Sequence, residues 1–241
     1  MLISIIIPCR DEADSIFETV NLISKELNDI NHELILINDY SRDNTLNILE
    51  QISNNNENIK NYDNKIIGLG GAIELGINNA KGEYVSIMMA DLSDNVSDLI
   101  RYINLVKQNN KLDAVFGSRF LKDSKVYNYP LKKLLLNRIF NYLVKLVFFS
   151  NYNDFTNAFK LYKKSALIQL FPIVSENFNI FLELPLKIIT RGFEYKTVAI
   201  SWNNRKKGKS KFNIKELSSK YFFTLIYCLM EKHLLKKKKL K

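Results

Sequence analysis

Apolar and polar positions alternate in blocks along the first half of the chain. Short apolar runs that end in turn residues predict strands at 3–8, 33–38, 83–89 and 113–117. Apolar residues that recur every three to four positions predict helices at 13–30, 43–53, 69–80 and 96–108. Strand and helix thus alternate over the first 118 residues. This alternation predicts an α/β fold with a mostly parallel central sheet and helices on both faces.

The second half of the chain has a less regular pattern. It predicts a basic amphipathic helix at 131–149, a short strand reached through 154–162, a helix at 177–191 and a strand at 194–202. A final amphipathic helix is predicted at 214–235. We therefore expect one main domain over 1–212 and a basic helical appendage over 213–241.

The composition is that of a folded protein with few special groups. Hydrophobic residues make up 46% of the 241 positions and charged residues 25%, which is ample for a core and too apolar for a disordered chain. Cys9 and Cys228 lie far apart, so we expect no disulfide framework and a reducing compartment. The two histidines, His32 and His233, are too few for a histidine-based zinc site. The first residues do not resemble a signal peptide, because the apolar run is short and no basic region precedes it.

Positive charge is concentrated at the C-terminal end. Residues 205–241 hold 13 Lys and Arg against 2 Asp and Glu, a net charge of +11, whereas the whole chain carries +10. Such a block attracts anionic lipid, nucleic acid or phosphate ligands. Because the charge is not spread over the predicted fold, we expect no nucleic acid among the partners.

Polar residues follow four of the predicted strands at the points where those strands end. In open parallel sheets, ligands bind beyond the carboxyl ends of the strands. The residues in these positions are Arg10, Asp11 and Glu12; Asp39, Ser41 and Asp43; Asp91 and Ser93; and Ser118 and Arg119.

Carboxylates gathered at one sheet edge repel one another, and they are typical of sites that bind a cation or hydroxyl and amide groups. A nucleotide diphosphate with Mg²⁺ or Mn²⁺ fits this description. Asp39 would accept hydrogen bonds from the base or ribose, and Asp91 would ligate the metal. The alternative is that each Asp caps the next helix, which suits Asp43 and Asp94 well.

The run at 205–211, RKKGKSK, is dense in positive charge and contains a glycine for close approach. It could clamp a phosphate, and a solvated run of charges is an equally good interpretation. The chain has no G-x-x-x-x-G-K-S/T motif, so a P-loop is not indicated.

Seven segments, taken in order, resemble the family 2 glycosyltransferases, particularly the polyprenyl-phosphate branch that includes dolichol-phosphate mannose synthase. The segments are SIIIPCRDEADSI (4–16), NDYSRDNT (38–45), GLGGAIELGINNAKG (68–82), MADLS (89–93), GSRF (117–120), DFTNAFKLY (154–162) and RKKGKSK (205–211). The resemblance covers about residues 2–212. It implies a glycosyltransferase A (Rossmann-like) fold and binding of a nucleotide-diphosphate sugar.

The resemblance also implies roles at the nucleotide. The residues that would surround the base and ribose are Pro8, Arg10, Glu12 and Asp39. Ala90 and Asp91 would meet the diphosphate, and Asp91 with Ser93 would hold Mg²⁺ or Mn²⁺.

Further residues are implied at the reacting groups. Those that would contact phosphate oxygens of donor or acceptor are Arg119, Lys133, Arg205 and Lys211. The expected catalytic set is Asp91, Arg119 and Asp154.

The chain departs from the family pattern at the metal. Met89 stands where the family has the first Asp of its D-x-D motif, and Ser93 stands where it has Gln. One carboxylate and one hydroxyl are left, and Mg²⁺ accepts one or two carboxylates with substrate phosphates and water. On the acceptor side, Asn157 and Ala158 replace Ser-Gly, and Lys160 replaces Arg.

Three functions are compatible with these features. The leading one is an inverting transfer of a sugar to a polyprenyl phosphate, whose anionic nucleophile needs no general base. The second is transfer to a glycan hydroxyl in capsule or lipopolysaccharide synthesis. It requires a base, for which Asp154 and Glu183 are candidates. The alternative role of both residues is a structural salt bridge or cap, which suits Glu183. The third is a non-catalytic nucleotide-binding or scaffold relative, indicated mainly by Met89.

The C-terminal pattern predicts contact with a membrane surface. No stretch reaches the roughly 20 apolar residues needed to span a bilayer. The aromatic apolar segment 221–230 precedes the lysines at 236–239, as in an interfacial helix on an anionic membrane, and 131–149 could add a second contact. Packing on the core, on a membrane-protein partner or in a homo-oligomer is the alternative. We expect a peripheral protein on the cytoplasmic face of the membrane.

Overall fold

The computed structural model describes residues 1–205 and 214–234, and the side chains of the second range from 219 onward. The first half comprises β1 (Ile3–Cys9), α1 (Ile16–Glu26), β2 (His32–Asn38), α2 (Thr45–Asn54), β3 (Ile59–Asp63), α3 (Leu69–Asn79), β4 (Tyr84–Ile87) and α4 (Val96–Gln108). The second half comprises β5 (Ala114–Ser118), β6 (Lys125–Tyr127), α5 (Leu131–Phe148), β7 (Lys160–Lys163), α6 (Lys164–Gln169), α7 (Ile180–Thr190), β8 (Tyr195–Ala199), β9 (Ser201–Asn203) and α8 (Ile214–Leu234).

A seven-stranded sheet forms the centre of the fold, in the order β3–β2–β1–β4–β7–β5–β8. Its neighbouring strands are parallel except at β7, which is antiparallel to both β4 and β5. The prediction of a mostly parallel sheet is confirmed. Strands β2 and β3 lie on one side of β1 in the sheet, and β4 lies on its other side, so the strand order reverses between β1 and β4. Ligands of open α/β sheets bind at the carboxyl ends of the strands beside such a reversal.

Strand β1 shows why the first apolar run is continuous. Ile5 and Ile7 belong to the hydrophobic core on one side of the sheet, and Ile6 belongs to the core on the other side. A strand buried on both faces needs apolar residues at successive positions. Helices α1, α2 and α4 pack in the first core, and α3, α5, α6, α7 and α8 pack in the second. The prediction of helices on both faces is therefore confirmed.

Several element boundaries differ from the predicted ones. Strand β3 (IKNYD) was not predicted, because it lies at the sheet edge and buries only Ile59. The predicted strand at 194–202 is two strands, β8 and β9, and β9 pairs with β6 in a separate two-stranded sheet. The predicted helix at 13–30 begins only at Ile16, because the carbonyl of Glu12 first accepts the N–H groups of Ser15 and Ile16. The short helix α6 was also missed.

The predicted final helix is present as α8. It packs against α7, buries Tyr221 and Cys228, and donates from Tyr221 Oη to the carbonyl of Phe178 at 3.1 Å. The predicted domain boundary at 212 falls in 206–213, which lies outside the described residues, so that boundary stays a prediction.

Helices α5 and α8 touch through side chains and expose large apolar residues. The rings of Phe140 and Tyr221 are 5.6 Å apart, and Lys232 Nζ donates to the carbonyl of Phe148 at 3.1 Å. The most exposed apolar residues of the two helices and their ends are Leu131 (81%), Leu135 (61%), Tyr142 (60%), Phe149 (91%), Phe222 (65%) and Leu234 (74%). Across the described residues, we find no helix that is both long enough and apolar enough to cross a membrane.

Candidate functional site

A cavity of about 950 Å³ opens at the carboxyl ends of β1, β2, β4 and β5, where the strand order reverses. Nine of the predicted site residues line it: Pro8, Arg10, Glu12, Asp39, Asp91, Ser93, Arg119, Lys133 and Arg205. Ala90 is buried behind the cavity, where its carbonyl accepts a hydrogen bond from Thr19 Oγ1 at 2.9 Å. Lys211 lies outside the described residues. The fold thus brings together side chains that are up to 197 positions apart in the sequence.

Asp39 is a fixed acceptor at one end of the cavity. Its Oδ1 accepts hydrogen bonds from Asn64 Nδ2 and from the N–H of Gly68, each at 2.9 Å. Its Oδ2 faces Arg10 Nη1 at 3.7 Å. Hydrogen bonds within the protein therefore occupy Asp39 Oδ1, whereas Asp39 Oδ2 faces the cavity. Asn64, which follows the unpredicted strand β3, was missed as a site residue for that reason.

Gly68 begins helix α3 in a conformation reserved for glycine. Its φ is 119°, and a Cβ at this position would meet the carbonyl oxygen of Glu176 at 2.6 Å. The N–H that bonds Asp39 therefore depends on a glycine at the helix start. This requirement explains the glycine that precedes the first residue of α3.

Asp91 is held by a cation from the protein itself. Arg205 Nε and Nη2 donate to Asp91 Oδ2 at 3.1 and 2.9 Å, and Arg205 Nη2 also lies 2.9 Å from Glu12 Oε1. Asp91 Oδ1 accepts the N–H of Ser93 at 3.1 Å. Burial raises the pKa of Glu12, Arg205 lowers it, and the charge of Asp91 raises it further. The guanidinium thus lies between two carboxylates and weakens the repulsion between them.

The turns at this sheet edge use left-handed backbone at residues other than glycine. The φ angles of Asp11, Tyr40 and Leu92 are 50°, 56° and 59°, and these residues follow β1, β2 and β4. Such conformations cost of order 1 kcal/mol each and are enriched at functional sites. In the third turn, Asp91 offsets this cost by accepting the N–H of Ser93.

Asp94 does not cap helix α4, contrary to the alternative suggested by its position. Asn95 is the cap, and its Oδ1 accepts the N–H of Ser97 at 2.9 Å. Asp94 lines the cavity instead, and its Oδ2 accepts the N–H of Met89 at 3.3 Å. Burial and the nearby charge of Asp91 raise the pKa of Asp94 to about 7. The N-cap residue of α2 is Asn44, and Asp43, one position earlier, accepts the N–H of Thr45 at 3.0 Å at the start of this helix.

Arg119 and Asp154 form a buried ion pair. Arg119 donates to Asp154 from its backbone N–H at 2.8 Å, from Nε at 2.9 Å and from Nη2 at 2.7 Å. Burial alone would lower the pKa of Arg119, but Asp154 outweighs burial and raises it. Asp154 is fully buried and is not part of the cavity wall. It therefore fixes the position of Arg119, which does line the cavity.

Three cationic side chains line the cavity close to one another: Arg119, Lys133 and Arg205. The pKa of Lys133 is lowered by burial and by the charges of Arg119 and Arg205. The Arg119 guanidinium also lies 5.4 to 5.7 Å from the ring centres of Phe120, Tyr129 and Trp202. Like charges kept this close together favour binding of an anion between them.

Helix α5 is tied to the Asp154 turn by amide side chains that the sequence analysis missed. Thr156 Oγ1 donates to Asn137 Oδ1 at 2.8 Å, and the N–H of Thr156 donates to Asn141 Oδ1 at 3.3 Å. Asn137 and Asn141 lie one turn apart within the basic stretch of α5. This spacing was the only signal in the sequence that could have pointed to them.

The far end of the cavity is apolar. It is lined by Leu136 and Phe140 from α5, Phe181 from α7, and Phe222 and Leu225 from α8. This end adjoins the exposed apolar surface of α5 and α8. One cavity therefore joins a carboxylate edge, a cluster of cations and an apolar channel.

The residues present fit a divalent cation only in part. The described residues contain no group of three or more His, Cys, Asp or Glu side chains that could hold a metal. Asp91 alone supplies a cavity-facing carboxylate at the predicted position, and Met89 supplies a thioether where a hard oxygen ligand would be expected. A single carboxylate suffices for Mg²⁺ when substrate phosphates and water complete its shell. The site therefore fits a metal that arrives with a diphosphate.

Comparison with known proteins gives the class of this chain. The model of glycosyl transferase family 2 matches residues 4–171, and the chain belongs to this family. It is 27% identical over 243 positions to the dolichol-phosphate mannosyltransferase of Pyrococcus furiosus, covering 96% of this chain and 64% of that protein. It is 26% identical over 218 positions to glycosyltransferase AglD of Haloferax volcanii, covering 88% of this chain and 34% of that protein. These relatives confirm the resemblance to the polyprenyl-phosphate branch, although the chain spans less than two thirds of either one's length.

Solved structures give the fold. Glucosyl-3-phosphoglycerate synthase from Mycobacterium tuberculosis, in complex with Mn²⁺, UDP-glucose and phosphoglyceric acid, matches with a TM-score of 0.74 at 13% identity, over 95% of this chain and 80% of that one. Its UDP complex matches with a TM-score of 0.72 at 15% identity over the same shares. The expected glycosyltransferase A fold is confirmed.

Proposed function

We propose that this protein transfers a sugar, with inversion, from a nucleotide-diphosphate sugar to a polyprenyl phosphate. The observation that carries the proposal is that a carboxylate edge, three cations and an apolar channel line one cavity of about 950 Å³. A nucleotide sugar needs the first two of these features. A phosphate on a long hydrocarbon chain needs the last two.

The donor occupies the carboxylate end in this proposal. Asp39 Oδ2 and Arg10 meet the base and ribose, and the diphosphate lies beside Asp91. Mg²⁺ or Mn²⁺ on Asp91, with Ser93 beside it, would neutralise the leaving diphosphate. The crystal structures of the mycobacterial synthase contain Mn²⁺ together with UDP or UDP-glucose, which supports a metal with the donor.

The acceptor phosphate lies between Arg119 and Lys133, and its chain follows the apolar channel. The phosphate oxygen is already an anion and attacks without a general base. The protein contributes alignment and charge screening. Asp154 acts by holding Arg119, so it is a positioning residue in this scheme.

The structure gives little support to a glycan hydroxyl as acceptor. Its two candidate bases, Asp154 and Glu183, are both fully buried, and neither belongs to the cavity wall. Asp154 is paired with Arg119, and Glu183 is paired with Lys187 at 2.5 Å while accepting the N–H groups of Val174 and Ser175. The salt-bridge interpretation of Glu183 agrees with these contacts.

A screen of labelled nucleotide sugars tests the proposal. Each is incubated with undecaprenyl phosphate, with dolichyl phosphate or with free oligosaccharides, with and without Mn²⁺, and the lipid fraction is analysed by mass spectrometry. The proposal predicts one sugar added to a lipid phosphate. Transfer only to oligosaccharides would support the glycan acceptor, and no transfer or donor hydrolysis with any metal would support a non-catalytic relative.

We further propose that the exposed side of α5 and α8 lies on the surface of an anionic membrane, on its cytoplasmic face. Two adjacent helices with apolar side chains up to 91% exposed, interspersed with lysines such as Lys132 and Lys145, suit an interfacial position. The apolar channel of the cavity adjoins this surface, so a lipid acceptor could enter directly. A membrane-protein partner or a second copy of the chain is the other occupant to consider.

Vesicle flotation distinguishes these occupants. The paired variant Leu135→Glu and Phe223→Glu should stop flotation with vesicles that contain phosphatidylglycerol. Phe17→Glu is the matched control, because Phe17 is 60% exposed on α1, away from this surface. Flotation of the paired variant at the wild-type level would contradict the membrane proposal, and a concentration-dependent dimer lost in that variant would favour a second copy.

A further inference from the structure

The guanidinium of Arg205, which was expected to contact a phosphate, binds two carboxylates of the protein. Its guanidinium forms two hydrogen bonds to Asp91 Oδ2 and one to Glu12 Oε1, with distances between 2.9 and 3.1 Å. The side chain is 13% exposed, and those of Asp91 and Glu12 are 12% and 8% exposed. The three groups therefore form a shielded cluster with one positive and two negative charges.

These hydrogen bonds occupy most of the lone pairs of the Asp91 carboxylate that a metal would need. A carboxylate oxygen has two lone pairs, and Arg205 Nε and Nη2 use both lone pairs of Asp91 Oδ2. Asp91 Oδ1 already accepts one N–H from Ser93. A divalent cation that binds Oδ2, or both oxygens together, must take the place of Arg205. One that binds the remaining lone pair of Oδ1 would lie close to the guanidinium charge and be repelled by it.

Arg205 is attached where such an exchange is possible. Directly after β9, the N–H of Asn204 donates to the carbonyl of Tyr127 at 3.1 Å. Arg205 follows directly and reaches back to Asp91 through its side chain. Rotation of that side chain can move the guanidinium without any change in β9.

We propose that Arg205 is the cation bound to Asp91 when no donor is present, and that the divalent cation arriving with a nucleotide diphosphate exchanges with it. The proposal depends on a nucleotide-diphosphate sugar being the ligand of this site. The displaced guanidinium remains beside Lys133 and Arg119 and turns to the diphosphate, whose negative charge replaces that of Asp91 as its partner. Metal binding and donor binding are coupled, because metal alone must break the Arg205 contacts without receiving this compensation.

Mn²⁺ binding measured by electron paramagnetic resonance tests the exchange in the absence of any transfer reaction. The samples are wild type, Arg205→Ala, the double variant Arg205→Ala with Asp91→Ala, and Arg101→Ala as control. Arg101 is a suitable control because it pairs with Asp98 on α4 and is not a lining residue of the cavity. Each is titrated with Mn²⁺, first without nucleotide and then with UDP.

Without nucleotide, Arg205→Ala should bind Mn²⁺ roughly tenfold more tightly than wild type, because the guanidinium no longer competes for Asp91. A tenfold change in affinity corresponds to about 1.4 kcal/mol. The gain should vanish in the double variant and be absent in Arg101→Ala. With UDP present, the advantage of Arg205→Ala should shrink, because wild-type Arg205 then contributes to diphosphate binding. Equal or weaker Mn²⁺ binding by Arg205→Ala without nucleotide would overturn the exchange, as would no binding to either protein. A failure to find sugar transfer would count against the proposed function and leave this comparison of Mn²⁺ affinities intact.

Discussion

The ion pair of Arg119 and Asp154 gives the sharpest prediction about stability. Asp154 has no exposed surface and Arg119 has 7%, and three N–H groups of Arg119 donate to Asp154. Asp154→Ala leaves a buried guanidinium without its carboxylate, and breaking a buried pair in this way costs about 3–5 kcal/mol. Since a domain of this kind has a total stability of about 5–15 kcal/mol, the loss is a large fraction of it.

Urea unfolding followed by circular dichroism measures this loss. The matched control is Glu176→Ala, because Glu176 is 75% exposed and pairs with Lys220 at the surface, where a salt bridge is worth at most about 1 kcal/mol. A loss below about 1 kcal/mol for Asp154→Ala would contradict the claim that the buried guanidinium of Arg119 needs the carboxylate of Asp154.

The milder variant Asp154→Asn distinguishes a positioning role from acid–base chemistry. If Asp154 only positions Arg119, kcat should fall and the pH profile should stay unchanged. Loss of a general base would instead remove the acidic limb of the profile.

Three further predictions concern single residues. Asn64→Ala should weaken UDP binding about tenfold, because Asp39 loses one of the two donors that fix its orientation. This loss of about 1.4 kcal/mol in binding free energy is measured by calorimetry, and an unchanged affinity would contradict the role of Asn64. Tyr102→Phe should leave the free energy of unfolding unchanged or raise it by up to about 1 kcal/mol, because the buried Tyr102 hydroxyl has no hydrogen-bond partner among the described residues; a loss above 1 kcal/mol would point to a missing partner. Burial lowers the pKa of Lys160 from 10.5 to about 7, so the unfolded chain binds more protons than the folded protein between these values, and stability should rise with pH across that range. In Lys160→Met the contribution of Lys160 to this rise should be lost, so the free energy of unfolding from urea curves should rise less between pH 7 and pH 9 than in wild type. An unaltered slope would show that Lys160 keeps its charge in the fold.

The sheet and the position of the site could be predicted because they depend on local patterns. Buried parallel strands such as Ile3–Cys9 produce continuous apolar runs, and their carboxyl ends meet at one edge. The polar residues that follow those strands therefore had to converge. Strand β7 could not be placed from the sequence, because a strand of four residues carries no signal of its direction.

The pairing of charges within the site could not be predicted in the same way. Arg205 meets Glu12 across 193 positions, and nothing in the run RKKGKSK distinguishes its first residue from the following lysines. The fold alone brings the end of β9 beside the turn after β1. Asp154 was expected at the reacting groups, but its burial behind Arg119 depends on α5 and the 154–157 turn packing together.

The proposed function depends on Asp91 holding, through a divalent cation, the diphosphate of a nucleotide sugar whose sugar passes to a polyprenyl phosphate. The most direct measurement is single-turnover transfer from the donor found in the screen to undecaprenyl phosphate, comparing wild type with Asp91→Ala at saturating donor. We expect a sugar-phosphate-lipid product of inverted anomeric configuration. Asp91→Ala should form it about a hundredfold more slowly, because a group that stabilises the charge of the leaving diphosphate has been removed. Equal rates for the two proteins, or a product with retained configuration, would contradict it.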